Sequence, residues 1–345
     1  MSNFTSNFLE LQEALLKWYA RHGRRDMPIR HLSGPHAPYQ IYISEIMSQQ
    51  TQISVVLERY FNPFLQAFPT LSALASAPLD RVLCLWRGLG YYARARNLHK
   101  SAQICCDTYG GQLPRNYAQL RALPGVGAYS ARAILCFGFG QAVGVVDANV
   151  ARVLLRLFAI SPTQPKLASI LQEHADMFVN LLNPFDHNQA LIDLGALVCT
   201  KEPRCHTCPL NFACQGKSML EKFSARKKVP SIPLNLHCGV CLKDSKLYLS
   251  RATEGLYAHL YQFPLLKNQE LVTLPLLGSV KHSYTKYRVQ AMLYHANLTD
   301  LQQEGLEVIA LDDLENTPMS ALSMKLLNLY RRVHPHTTQY TQLYS

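Results

Sequence analysis

Four cysteines fall within sixteen residues, Cys199-Thr-Lys-Glu-Pro-Arg-Cys205-His-Thr-Cys208-Pro-Leu-Asn-Phe-Ala-Cys214, with Lys201, Arg204 and His206 among them. Such a cluster can close disulfides or bind metal. The chain opens Met1-Ser-Asn-Phe-Thr, without the basic-then-apolar pattern of a secretory signal, so a reducing, cytoplasmic setting is expected, and there clustered cysteines hold metal. Zinc suits four thiolates and so does a 4Fe-4S cluster; the spacing does not decide between them. A second pair, Cys238 and Cys241, lies in a stretch with strand character and has no partner pair nearby, so it reads as structural.

The elements that must position the cysteines are helical. Phe8, Leu11, Leu15 and Trp18 lie at helical spacing in residues 7–20. Helical pattern is also expected over 39–68, with a break at Pro63, and over 80–86, 93–109, 117–123, 129–139, 147–158 and 184–198, the last leading straight into the cysteines. Three polar stretches stand between or inside these helices. Ser44-Glu45-Ile-Met-Ser-Gln-Gln50-Thr-Gln52 puts three glutamines across an apolar stripe, as a polar helix end facing water would. Gly88-Leu89-Gly90-Tyr91-Tyr92-Ala-Arg94-Ala-Arg96 combines glycines, aromatics and arginines, which suits a loop reaching into nucleic acid or a solvated loop anchored by a buried tyrosine. Leu123-Pro-Gly125-Val-Gly127 allows a tight turn that leaves backbone N–H groups free at a helix start, a phosphate-binding arrangement also common in ordinary helical domains. Asp147, in Val146-Asp-Ala-Asn149, is explained equally well as a helix N-cap.

Composition sets the broad class. The 345 residues suffice for two domains, and 48% hydrophobic with 17% charged residues is globular. A net charge of +11 points to a polyanionic partner, nucleic acid before membrane, since no apolar run is long enough to span a bilayer. After Cys214 the pattern changes. Residues 219–234 read as a basic linker, followed by a strand-rich region with a hairpin formed by 237–242 and 246–251 around Asp244-Ser245, a strand at 289–295 and a helix at 319–333.

In this order the motifs resemble the MutY family of adenine DNA glycosylases, within the helix-hairpin-helix superfamily that includes endonuclease III. The resemblance covers nearly the whole chain. It implies an all-α glycosylase domain over 1–218, with its helix-hairpin-helix near 117–139 and its iron-sulfur loop at 199–214, and an α+β NUDIX-like domain over 235–345. It also implies a 4Fe-4S cluster on Cys199, Cys205, Cys208 and Cys214, although the first interval, Thr200 to Arg204, is one residue shorter than usual and could change how Lys201 and Arg204 reach the DNA backbone. The implied partner is double-stranded DNA bearing adenine opposite 8-oxoguanine or guanine, bound by a monomer.

The family also implies roles for particular residues. Cleaving a purine N-glycosidic bond needs a proton for the leaving base and stabilisation of an oxocarbenium-like sugar. By resemblance Glu45 is the acid and Asp147 the stabiliser, with Asn149 in support. Tyr129 stands where relatives that also cut the strand carry a lysine; a tyrosine forms no Schiff base, which favours a product left as an abasic site. Gln50, Leu89 and Tyr91 match intercalating positions, Gly125 and Gly127 the DNA-backbone hairpin. Arg30, Gln189 and Ile192 match the adenine pocket, and Ile29 replaces a tryptophan common there. In the C-terminal region Gly255-Leu-Tyr-Ala-His-Leu-Tyr-Gln-Phe-Pro264 is the clearest match. Tyr284, Thr285 and Lys286 occupy the lesion-contacting motif, where lysine for the usual histidine predicts weaker discrimination of 8-oxoguanine from guanine. No glutamate-rich hydrolase box is present, which removes a pyrophosphatase reading. Two rival functions are an endonuclease III-like glycosylase/lyase and a catalytically silent DNA-binding protein with a redox-sensing cluster; Tyr129 disfavours the first, the pairing of Glu45 with Asp147 the second.

Overall fold

A computed structural model describes residues 2–223, 230–266, 273–284, 286–301 and 305–335. Thr285 lies outside them. The backbone forms two compact units, Met1–Ile53 with Thr70–Ser72 and Ser101–Lys227, and Ser54–Pro69 with Ala73–Lys100 and Lys228–Ser345.

The first unit is helical. Helix Ala148–Leu157 turns Val150, Val153, Leu154 and Leu157 to one side, spaced i, i+3, i+4, i+7. They pack with Leu11, Leu15 and Tyr19 of helix Ser2–His22, with Phe178, and with Leu191 and Leu194 of helix Pro184–Leu197. Each such side chain, fully buried, contributes roughly 1.5–3 kcal/mol. Cys199, Cys208 and Cys214 pack against the same core, so the cysteine loop is seated on the helices that precede it. Gly195 lets two of these helices meet: a Cβ there would lie 2.7 Å from the Asn149 Cβ.

Helix Ala37–Ser48 ends at Gln49, and the chain reverses through Gln50 at φ 60. The break in the 39–68 region therefore falls at the glutamines. Pro63 lies within an unbroken helical run made of Ile53–Val56, a wider turn over Leu57–Phe61 and Asn62–Ala67, the wider turn coming just before the proline, whose ring and missing N–H disfavour a regular α-turn there. Helix Tyr117–Ala122 is capped by Asn116, whose side chain accepts from the Gln119 N–H at 3.2 Å. Gly125, at φ 76, makes the turn into helix Ala128–Ala133, which continues as a wider turn over Ile134–Gly138. Helix Leu167–Phe178 is additional to those expected.

The second unit combines helices Asn62–Ala67, Leu79–Leu85 and the start of Ala93–Tyr109 with seven strands among the described residues: β1 Ile232–Val240, β2 Leu242–Lys243, β3 Lys246–Arg251, β4 Tyr261–Gln262, β5 Leu276–Tyr284, β6 Tyr287–His295 and β7 Leu306–Ala310. One sheet has the order β1-β6-β5; the other runs β2-β3-β4 with β7 also on β3. The expected hairpin at 237–251 is corrected. Most of its first arm belongs to β1, which pairs parallel with β6, and only Leu242 and Lys243 pair back onto β3. The turn itself is as the residues require, with Asp244 and Ser245 both left-handed at φ 50 and 59. The end of the expected linker, Ile232 to Leu234, is already strand. Helix Ala321–Val333 buries Leu322, Leu326, Leu327 and Tyr330 in a core with Val289, Ala291 and Leu293 of β6. Among the described residues no helix is long and apolar enough to cross a membrane.

Candidate active site and nucleic-acid interface

Glu45 lies near the end of helix Ala37–Ser48, flanked by buried Ser44, Ile46 and Met47. The Tyr129 hydroxyl, from the first turn of Ala128–Ala133, donates to its carboxylate. Burial pushes the Glu45 carboxyl up to about 7; the Tyr129 bond opposes this and the charge of Asp147 adds to it. Burial likewise holds Tyr129 well above the usual phenol range, with Glu45 and Asp147 disfavouring a second anion. Tyr129 therefore keeps its proton and acts as a hydrogen-bond donor to Glu45.

Asp147 is the N-cap of Ala148–Leu157, accepting from the Val150 N–H at 2.7 Å through Oδ1. Its other oxygen, Oδ2, accepts from Asn149 Nδ2 at 2.9 Å. Burial raises the Asp147 carboxyl above its ordinary value, opposed by Val150, Asn149 and the charge of Arg152. Bonds to the charged form separate the two carboxyls: Asp147 has several donors that favour the anion, whereas Glu45 has the Tyr129 bond alone against its burial. The extended run that delivers Asp147 is held by a side chain acting as a neighbouring strand. Asn188 accepts from Val145 N at 2.8 Å and donates to Val143 O at 3.0 Å.

Two arginines one turn apart join this site to the cysteine loop. Arg152 donates to Asn149 Oδ1 at 3.0 Å, to Gly195 O at 2.6 Å and to Cys199 O at 2.6 Å. Arg156, 2% exposed, donates to Thr200 O at 2.6 Å and to Cys199 Sγ at 3.4 Å. Neither stood out in the sequence. The available signal was a pair of arginines at i, i+4 within an otherwise apolar stripe.

The four cysteines line one cavity together with Arg156 and Arg204. Among the described residues no group of three or more His, Cys, Asp or Glu side chains is placed to hold a single metal ion. The four thiols border one shared space, a donor set whose chemistry suits four-thiolate zinc as well as a 4Fe-4S cluster. Burial first, and then the neighbouring Cys199, Cys214 and Cys205, raise the Cys208 thiol to about 11 against the Leu210 backbone bond that lowers it, so a cationic group seated there would displace protons.

The remaining expected residues are distributed as follows. Ile192 shares an apolar cluster with Tyr129 and Val143, and Gln189 is buried on the same helix. Arg30 is not presented to that cluster as a polar reader. Its guanidinium forks onto the fully buried Asp193 at 2.7 and 2.8 Å, and Arg24 binds the same carboxylate. Lys201 is exposed; Arg204 is exposed too, with Nη2 on the Leu197 carbonyl. Gln50 is exposed at its left-handed turn.

In the second unit the loop Gly88–Tyr92 presents Tyr91, 40% exposed at φ 50, and buries Leu89, 6% exposed. Leu89 therefore packs inward and is not displayed as a wedge. Trp86 Nε1 and Arg94 both donate to the Gly90 carbonyl, at 3.0 and 3.1 Å. The β5–β6 turn brings Tyr284 against Tyr257 and Tyr287, with Lys286 Nζ 5.6 Å from the Tyr287 ring centre. These residues and Tyr91 line a cavity of about 640 Å³ that also receives His282 and Arg288. Aromatic faces with cations at the rim are the equipment for stacking bases and pairing phosphates.

Residues 43–176 match the HhH-GPD superfamily of base excision DNA repair proteins. An adenine DNA glycosylase of Buchnera aphidicola subsp. Baizongia pistaciae is 35% identical over 262 residues, covering 74% of this chain and 74% of that protein. The chain belongs to the adenine DNA glycosylase family. The human family member is 42% identical over 218 residues, 61% of this chain and 40% of that protein. Among solved structures, a thermostable thymine-DNA glycosylase superposes with a TM-score of 0.57 at 28% identity, covering 62% of this chain and 98% of its own. The helical glycosylase fold is thus shared with the family, and in this chain a C-terminal sheet region follows it.

Proposed function

We propose that this chain removes adenine paired with 8-oxoguanine or guanine in duplex DNA, hydrolysing the N-glycosidic bond and leaving an abasic site. The observation that carries this reading is the Glu45 carboxyl, held near 7 beside a second, hydrogen-bonded carboxylate. A carboxyl with that value is protonated in a useful fraction at neutral pH and can give its proton to N7 of the departing adenine. Asp147, fixed by Val150 and Asn149, faces the positive charge that develops on the sugar. Tyr129 orients Glu45, and having no amine it supports hydrolysis without strand cleavage. Gln189 and Ile192 would border the extruded base, an arrangement that a duplex-acting enzyme requires.

Cys199, Cys205, Cys208 and Cys214 would hold a 4Fe-4S cluster. Bound there, it would close the loop 199–214 on itself and present Lys201 and Arg204 to phosphates. The region 235–345, with Tyr284 and Lys286 at its cavity, would read the base opposite adenine.

The test is incubation of the protein with duplexes carrying adenine opposite 8-oxoguanine or guanine, scoring strand breaks with and without alkali. Breaks only after alkali, lost in Glu45→Gln, support the reading. Breaks without alkali would make the chain a lyase, and no product from folded, DNA-binding protein would leave a binding function.

A further inference from the structure

The loop Gly88–Tyr92 is bracketed by two side chains that both reach the segment preceding helix Ala321–Val333. On one side Arg87 Nη2 donates to Glu315 O at 2.9 Å and Thr317 O at 2.8 Å, with Leu314 O at 3.3 Å. Those two shorter contacts use both protons of that nitrogen. On the other side the Tyr92 hydroxyl donates to Met319 O at 3.2 Å, and its oxygen lies 3.5 Å from the Gly88 N–H. Tyr92 is 3% exposed. Every acceptor on 314–319 is a backbone carbonyl, so the contact is one of position and does not depend on the side chains there.

The loop between the brackets has an uncommon backbone. Gly88, Gly90 and Tyr91 all have positive φ, of 91, 77 and 50, a costly choice for tyrosine. The bonds at both ends over-determine the backbone and keep Tyr91 exposed at the rim of the cavity that also holds Tyr284 and Lys286. A charged donor shared among carbonyls is the stronger of the two brackets.

We propose that Arg87 is a positioning residue for reading the base opposite adenine. By fixing the loop on Glu315 and Thr317 it sets the placement of Tyr91 relative to Tyr284 and Lys286. The proposal rests on the functional reading above, in that the loop is taken to meet DNA.

The experiment uses the full chain in a Trp18→Phe background, which leaves Trp86 as the one tryptophan; Trp86 is buried and bonded to the Gly90 carbonyl, so its emission reports the loop. Arg87→Met should shift that emission to the red and lower the ratio of single-turnover rates, adenine opposite 8-oxoguanine over adenine opposite guanine, by about tenfold, the effect of one charged hydrogen bond. Affinity for undamaged duplex should change less than about twofold, because no phosphate contact is removed. Arg87→Lys, a point charge without the fork, should recover part of the ratio. If Arg87→Met does not fold, Tyr92→Phe removes the second bracket alone and should move both readouts the same way. An unchanged rate ratio with unchanged emission in a folded variant overturns the proposal. A wild type that excises adenine from neither duplex would overturn the functional reading instead, and unchanged emission would then still decide against Arg87.

Discussion

Asn149 holds Asp147 with one end of its amide and Arg152 with the other: Nδ2 is 2.9 Å from Asp147 Oδ2, and Oδ1 is 3.0 Å from the guanidinium. The carboxylate that would face the sugar is therefore oriented by a residue that is itself oriented. Asn149→Ala removes a donor to the anion and should slow single-turnover excision by about ten- to a hundredfold, as expected for a hydrogen bond to a charged group. Binding of an abasic-site analogue should change little. A rate equal to that of wild type would dissociate Asn149 from the chemistry.

Glu45 gives a pH dependence with a definite sign. Its proton is needed, and it leaves as pH rises through about 7, so the single-turnover rate should fall towards tenfold per pH unit on the alkaline side. The same raised value bears on stability. Folding favours the protonated form, so stability is greatest below the ordinary glutamate range and declines as pH rises to about 7, by roughly 3 kcal/mol at most. Glu45→Gln, inactive, should unfold at a higher temperature than wild type at pH 8, and the two should converge at pH 5. Parallel melting curves at both pH values would contradict this.

Asp193 is fully buried between Arg30 and Arg24. Burial would raise its carboxyl, but bonds from Arg30 and Arg24 outweigh that and leave it below the ordinary range. Asp193→Asn strands the Arg30 charge and should cost about 3–5 kcal/mol, seen as an earlier denaturant midpoint at neutral pH. The wild-type contribution is present above the ordinary aspartate range and lost as pH falls through the depressed value, so the gap between variant and wild type should narrow in acid.

Arg156 donates to the Cys199 sulfur at 3.4 Å. Arg156→Met leaves the Thr200 carbonyl without its 2.6 Å bond, and about 1–3 kcal/mol per abandoned buried acceptor is expected. Iron per chain, measured after purification, should fall together with thermal stability. Full iron content and an unchanged melt would remove Arg156 from the account of the cysteine loop.

Lys286 stands at the β5–β6 turn. Lys286→His should raise the preference for adenine opposite 8-oxoguanine over adenine opposite guanine, without altering cleavage of the preferred duplex by more than a few-fold. Equal preference ratios for the two proteins would end that idea.

Local signals carried far in this chain. The stripe of Val150, Val153, Leu154 and Leu157, the cap at Asp147 and the cysteine spacing are all legible because each is settled within a turn or two of helix. At Asp147 the cap bond through Oδ1 and the Asn149 bond to Oδ2 are compatible with both the plain and the functional explanation. What escaped depends on distant partners. The pairing of Ile232 with Tyr287 joins strands far apart in sequence, and the bond from Arg30 to Asp193 spans 163 positions; neither has a local pattern. Helix Leu167–Phe178 is a different case, because Ile170, Leu171, Ala175 and Phe178 do carry a helical stripe.

The clasp at Arg87 also sets a schedule for synthesis. The Leu314 carbonyl is 227 residues downstream of Arg87, so at about 5–20 residues per second the arginine waits on the order of ten to forty seconds for its acceptors. Throughout that interval the tyrosine loop is held only by neighbours such as Trp86 and Arg94. A stretch of chain made long after the loop thus gives it its final form, and a nascent protein can complete its earlier helices before this clasp closes.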